Sequence, residues 1–173
     1  MVAPRVDFAC ELQSDALQTL FADPTVVDDL VALKAGVVLG LLDLSLERAA
    51  VVQQLNEAGI PLTAWLLLPK DEGYWFNAAN APQAAACYRD FRVWTAEHGL
   101  QWDGVGMDIE PDFYEFQQLL SPGRWRLLPR MLRRAFNKEV VRRAQVAYSA
   151  LVTQMRADGH RVETCLLYTS PSP

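Results

Sequence analysis

The sequence predicts an α/β fold built on a parallel sheet, and two observations carry that expectation. Helix-like stretches that end near a glycine are followed within a few residues by apolar, strand-like runs, and this recurs at Gly36, Gly59, Gly99 and Gly159. The runs themselves, such as Leu62-Thr63-Ala64-Trp65-Leu66-Leu67-Leu68, are almost continuously apolar. Such runs belong to strands covered on both faces, the situation of parallel sheets, whereas half-exposed antiparallel strands alternate. A chain of 173 residues with this composition suffices for one globular domain with a sizeable core.

The elements follow in order. Residues 6–10 read as a first strand, with 14–21 and 25–35 as helical material behind it. Gly36 precedes a strand at 37–42, Gly59 one at 61–68, Gly99 one at 103–109 and Gly159 one at about 161–166. A glycine just past a helix supplies the left-handed cap, so each marks a helix-to-strand junction. Ser45 is placed to cap a helix over 46–58, and Asn80 with Pro82 opens a helix that runs to His98. Strands near residues 6, 37, 62, 103 and 161 make four complete βα units and begin a fifth.

A doubly wound sheet would often place a glycine-rich phosphate loop after its first strand, and Ala9-Cys10-Glu11-Leu12 has none. The expected architecture is a (β/α)8 TIM barrel, which runs to about 250 residues when complete, truncated here after about four to five βα units. Residues 1–164 are then the N-terminal part of a single barrel. Residues 165–173, Cys-Leu-Leu-Tyr-Thr-Ser-Pro-Ser-Pro, match the translated read-through of a transposase sequencing adapter and are set apart as non-native. The native chain is expected to continue beyond Thr164. An open half-barrel exposes apolar surface and unpaired strand edges, so self-association through those edges is expected.

Composition narrows the partners. A net charge of −5 disfavours nucleic acid. Arg124, Arg126, Arg130, Arg133, Arg134, Lys138, Arg142 and Arg143 crowd a segment whose only acid is Glu139, a pattern that reads as a solvated helix face. No apolar run approaches the roughly 20 residues of a membrane span. The first 15 residues show no basic region followed by an apolar one, so no export signal is legible and the cytoplasm is the default compartment. Cys10, Cys87 and Cys165 are too few and too scattered for a disulfide framework or a metal knuckle. Neither a metal nor a cofactor is expected. His98 and His160 adjoin Gly99 and Gly159, which puts them at the N-terminal rim as helix-end cations.

The chemistry is expected at the opposite, C-terminal ends of the strands, where barrel active sites gather. The second strand ends at Asp43, the third runs into Pro69-Lys70-Asp71-Glu72 and the aromatic loop Gly73-Tyr74-Trp75-Phe76-Asn77, and the fourth ends in Asp108 and Glu110. In Trp102-Asp103-Gly104-Val105-Gly106-Met107-Asp108-Ile109-Glu110-Pro111, strand alternation puts Asp108 and Glu110 on one face and Val105, Met107 and Ile109 on the other. One of two neighbouring carboxylates raises the pKa of the other, which is how a general acid stays protonated near neutral pH. Tyr74 and Trp75 offer flat faces on which the C–H faces of sugar rings stack, with Asp43 as a further lining residue. The expected partner is an oligo- or polysaccharide.

Asp103-Gly104-Val105-Gly106-Met107-Asp108-Ile109-Glu110 resembles the fourth-strand signature of the family 18 glycoside hydrolases, chitinase-like (β/α)8 barrels with the pattern D-G-x-D-x-D-x-E. Asp103, Gly104, Asp108 and Glu110 match it, whereas Gly106 stands in place of the middle aspartate. The resemblance implies that Glu110 is the general acid on the glycosidic oxygen. It implies that Asp108 orients that acid or the substrate's N-acetyl group, whose carbonyl serves as nucleophile. Glu110-Pro111 also resembles the end of the Asn-Glu-Pro motif of retaining glycosidases, with Ile109 in place of the asparagine. Glu110 is the acid in that case too, and the nucleophile is a carboxylate on a later strand. A catalytically silent carbohydrate-binding barrel is the alternative from another class.

Overall fold

The computed structural model describes residues 5–109 and 138–165, without the side chains of Lys138 and Cys165. Within them the chain runs β1 (Asp7–Cys10), α1 (Ser14–Phe21), α2 (Pro24–Leu33), β2 (Gly36–Leu41), α3 (Leu46–Glu57), β3 (Leu62–Leu66), α4 (Ala81–His98), β4 (Gly104–Asp108), α5 (Lys138–Ala157) and β5 (Arg161–Cys165). The five strands form one sheet in the order β1-β2-β3-β4-β5, every neighbouring pair parallel. Parallel crossovers are right-handed almost without exception, so strands added always on the same side place all the helices on one face. A doubly wound sheet must reverse direction at a switch point, and none occurs among the described strands. Five sequential parallel strands alternating with helices give a truncated, TIM-barrel-like topology, as the sequence predicts.

Local chemistry explains the boundaries. The Asp23 side chain accepts from Thr25 N at 3.0 Å to cap α2, whose first residue is Pro24. Ser45 caps α3 by accepting from Arg48 N at 3.3 Å. Gly59, Gly99 and Gly159 take left-handed conformations, with φ of 70°, 62° and 92°, at the three junctions predicted for them. The fourth junction differs. Lys34 adopts the left-handed cap of α2 (φ 53°), and Gly36 is already the first residue of β2. Its missing Cβ matters for another reason, since a side chain there would run into Asp7 and the carbonyl of Pro61. At Asn80, too, the side chain turns away from the helix it opens and makes no cap bond.

The sheet segregates its two faces. Val37, Leu39 and Leu41 of β2, Leu62, Ala64 and Leu66 of β3, and Val105 and Met107 of β4 are all buried with the helices. Leu17 and Phe21 of α1, Val52 and Leu55 of α3, Phe91 of α4 and Met155 of α5 meet them in one continuous core. The alternate positions form the inner face, where Gly36, Gly40, Gly104 and Gly106 stand beside Thr63, Trp65 and Asp108.

The N-terminal rim is closed by aromatic packing and polar ties. Phe91, fully buried, lies 5.9 Å from Tyr88, 5.7 Å from Trp102 and 6.1 Å from the His160 ring. Asn56 of α3 bonds the backbone of Gln101 in both directions at 2.9 Å, fixing the turn into β4. Burial beside these rings lowers the His160 pKa, which works against the helix-end cation expected from its position. Of the predicted basic segment, Arg142 and Arg143 are described, and both pair with Glu139 on an exposed face of α5. No helix among the described residues is long and apolar enough to cross a membrane.

Truncating Phe91 removes the ring on which this rim converges. Phe91→Ala is expected to cost about 3–5 kcal/mol of unfolding free energy, read as a lowered urea midpoint. A change under about 1 kcal/mol would show that the rim tolerates the cavity.

Candidate active site

Three strand ends bring polar side chains to the C-terminal rim. Asp108 closes β4 on the inner face, and its Oδ2 accepts a hydrogen bond from the Trp65 indole Nε1 at 3.0 Å. Trp65 is in register with Gly106, the residue two before Asp108. Its ring lies directly over that glycine: a Cβ at position 106 would collide with ring carbons Cε3 and Cζ3. Trp65 and Asp108 are both half-buried, so this bond is shielded while the carboxylate stays within reach of the mouth.

The loop after β3 is tied to the same strand end. Phe76 N donates to the Asp108 carbonyl at 3.1 Å, and Phe76 forms a parallel bridge with Ile109. The Phe76 side chain is fully buried and stacks on Tyr148 of α5, whose hydroxyl donates to the Asn77 carbonyl at 2.8 Å. Asn80 Nδ2 donates to the carbonyls of Glu72 (3.1 Å) and Trp75 (2.9 Å), while its Oδ1 accepts from Asn77 N at 2.7 Å. These bonds hold Tyr74 at φ 61°, a left-handed conformation that a bulky residue adopts only where its surroundings enforce it.

Tyr74 reaches back across β2 to donate a hydrogen bond to Oε1 of Glu11, which follows β1. Between them lies Gly40, where a Cβ would press on Glu11 Cγ at 3.1 Å. Burial and the neighbouring Glu11 carboxylate both push the Tyr74 phenol above its ordinary pKa, so it remains a donor. Trp75 is half-buried and packs edge-on against the Tyr74 ring at 5.8 Å.

Asp43, half-buried, accepts several hydrogen bonds at once. It accepts from Ser14 Oγ (2.8 Å), Ser45 N (3.1 Å), Ser45 Oγ (2.5 Å), Arg48 Nε (3.3 Å) and Arg48 Nη2 (3.0 Å). Arg48 is fully buried, and it also donates to the carbonyls of Gly40 (3.0 Å) and Leu12 (2.9 Å). Burial alone would raise the Asp43 pKa, but the bonds from Arg48, Ser45 and Ser14 outweigh it and hold the carboxyl far below the usual range.

Of the residues singled out in the sequence, Tyr74 and Trp75 share one loop, and that loop is bonded to the strand end that carries Asp108. Asp43 sits on the same rim inside its own bonding shell. Asp103 does not join them. It precedes β4 at the other end of the strand, about 16 Å away at ~3.3 Å per residue, where it pairs with Arg5 at 3.7 Å. Glu110 lies outside the described residues.

Sequence reasoning missed Glu11, Trp65 and Arg48. Glu11 was legible in principle, because it follows the first strand much as Asp43 follows the second. Trp65 was hidden in an apolar run, and only the register reveals its partner. The two thiols within the description are unsuited to nucleophilic chemistry: burial raises the pKa of Cys10 and pushes that of Cys87 up to about 12. Among the described residues no group of His, Cys, Asp and Glu side chains could hold a metal ion. An apolar groove beside Phe8, Phe21 and Leu33 lies between β1 and the first two helices, on the side of the sheet away from Asp108.

Fold and rim together define a parallel α/β scaffold of TIM-barrel-like topology with its polar groups at the C-terminal strand ends. A scan of protein-family models and searches of the curated proteins and the solved structures find no match to the chain.

Replacing Asp43 by Asn leaves the buried Arg48 guanidinium without its anion; because Asp43 itself is 35% exposed and partly screened by solvent, the loss is expected to be about 1–3 kcal/mol. Because the folded pKa lies below the unfolded value, the wild-type pair stabilises fully at neutral pH. That contribution is lost as pH falls through the ordinary carboxylate range near ~4 and below. Urea unfolding measured from pH 7 down to pH 3 should fall more steeply for wild type than for Asp43→Asn. Parallel curves would remove Asp43 from the acid sensitivity of the fold.

Proposed function

We propose that this chain carries the acid side of a carbohydrate-active hydrolase site, with Glu110 as general acid and Asp108 orienting it or a substrate N-acetyl group. The observation that carries this reading is the setting of Asp108. A carboxylate at the C-terminal end of the fourth parallel strand is held by an indole on its inner-face side. Its backbone is tied to a strained loop bearing Tyr74 and Trp75. TIM-barrel-like scaffolds place catalytic groups at this rim, and strain concentrates where geometry serves a function.

In the proposed reaction the Glu110 carboxyl gives its proton to the glycosidic oxygen as the C–O bond breaks. The acetamide carbonyl oxygen, oriented by Asp108, attacks the anomeric carbon from the opposite side. Water then opens the resulting ring and returns a proton to Glu110. Half-buried Trp75 supplies the stacking face for the sugar, and buried Tyr74, bonded to Glu11, holds that ring in place. Asp43 contributes by fixing the rim loops after β1 and β2. Asp103, at the far end of β4, has no part in it.

A carbohydrate-binding barrel without hydrolysis is the second reading. It is favoured by Gly106, whose place beside Asp108 is filled by the Trp65 ring where the family pattern has an acid.

The test is a panel of aryl glycosides, N-acetylglucosaminides included, assayed with the intact protein and with Glu110→Gln. The variant is expected to lose about 10²–10⁴-fold in kcat, the usual contribution of a general acid, while oligosaccharide binding by calorimetry survives. Binding with no hydrolysis in wild type would establish the second reading. Neither binding nor hydrolysis would overturn both.

A further inference from the structure

We infer that Trp65 is the positioning residue for Asp108, its indole N–H taking the place of a second carboxyl group on the inner face. This rests on the proposed role of Asp108 for its catalytic meaning, but its geometric basis is independent of it.

The register brings Trp65 of β3 beside Gly106 of β4, and the Gly106 Cα without a Cβ is the floor on which the ring lies. Any side chain at position 106 would occupy the volume of the indole. The two residues therefore form an exclusive pair: a side chain at 106, or a tryptophan at 65. With the tryptophan, the group that reaches Asp108 is Nε1–H, 3.0 Å from Oδ2. An indole donates and cannot accept, so the oxygen it touches acts only as an acceptor. A neighbouring carboxyl would instead share a proton with Asp108, and the two would titrate as a coupled pair. Trp65 thus fixes the direction of the Asp108 carboxylate with a donor that does not ionise.

Its ring brings a second effect. The half-buried indole covers the inner face beneath Asp108 and keeps water from solvating that side of the carboxylate, where a short side chain would leave space. An N–H donor on a shielded anion is stronger than the same bond in water. Orientation and desolvation therefore come from one residue.

The experiment has two arms. In the first, the Trp65 indole N–H resonance of ¹⁵N-labelled intact protein is followed by NMR. Asp108→Asn is expected to shift it and to accelerate its exchange with solvent, while the resonances of Trp94 and Trp102 stay in place. An unmoved Trp65 resonance overturns the inference.

In the second arm, Trp65→Phe, which keeps a ring and loses the donor, is expected to lower kcat about tenfold with KM within about twofold. Trp65→Ala is expected to lose more. Trp65→Ala combined with Gly106→Asp should regain activity over Trp65→Ala alone, because the vacated volume now admits the carboxyl. Gly106→Asp in the presence of Trp65 should lower the melting temperature, and Trp65→Ala should relieve that loss. If kcat of Trp65→Phe equals wild type, or if the double variant is no better than Trp65→Ala, positioning is overturned. If the intact protein hydrolyses nothing, the proposed function fails, whereas the indole resonance and the melting-temperature pair still decide whether Trp65 and position 106 govern Asp108.

Discussion

A parallel strand has two faces, and in this sheet one of them is committed entirely to helices. Leu39, Leu62, Ala64, Leu66, Val105 and Met107 are at most about 1% exposed, and the apolar faces of the helices rest on them. Burial at about 25 cal/mol per Å² of apolar area makes that commitment the main source of stability. It also means that a polar side chain in a strand belongs on the inner face, because on the outer one it would stand unsatisfied among leucines. Thr63, Trp65 and Asp108 all follow that rule. The functional geometry is thus a remainder, set by what the core leaves over.

Four inner-face positions, 36, 40, 104 and 106, are glycine, and each glycine corresponds to a neighbour that needs its space. Gly106 carries the Trp65 ring, Gly40 lies under Glu11 as that side chain meets Tyr74, and Gly36 makes room for Asp7. Large groups on one strand alternate with none on the next, so a single indole spans two strands. The rim above is joined by directional bonds. Arg48 links the β1 loop, the end of β2 and the first turn of α3, and Asn80 links the two ends of the aromatic loop. Such bonds fix geometry more sharply than apolar contact does, which suits a surface that must hold carboxylates in place while remaining open.

Strand order, direction and most helix ends were legible in the sequence because each rests on local chemistry: a glycine with positive φ at 59, 99 and 159, a capping Ser45, a proline at the start of α4. The exception at Gly36 has a local cause as well. Lys34 takes the left-handed cap, and the glycine serves a cross-strand approach that no local signal encodes. The same limit applied to the site. Asp43 and Asp108 announced themselves as acids at strand ends, but whether an acid is bound up or poised depends on side chains from other units. Ser14 lies 29 positions from Asp43, and Trp65 lies 43 from Asp108. Gly106 is the clearest case: read along the chain it is a missing acid, and read across the sheet it is the seat of an indole.

The two aspartates of β4 show why position in a strand outweighs residue type. Asp103 immediately precedes the five-residue strand β4 and Asp108 ends it, two carboxyl groups of equal intrinsic acidity. Asp103 emerges where the helices have turned back. It is half-exposed and meets Arg5, whose guanidinium is held chiefly by Asp7, at 3.7 Å, a pairing worth little in water. Asp108 emerges where the strand meets the loop of the preceding unit, and it meets a rigid ring whose one donor cannot rotate away. A packed indole makes its partner follow. That asymmetry confines ordered carboxylate chemistry to one end of the sheet, and it arises from Trp65 and Gly106 being opposite each other in register, a relation set by the sheet before any ligand is considered.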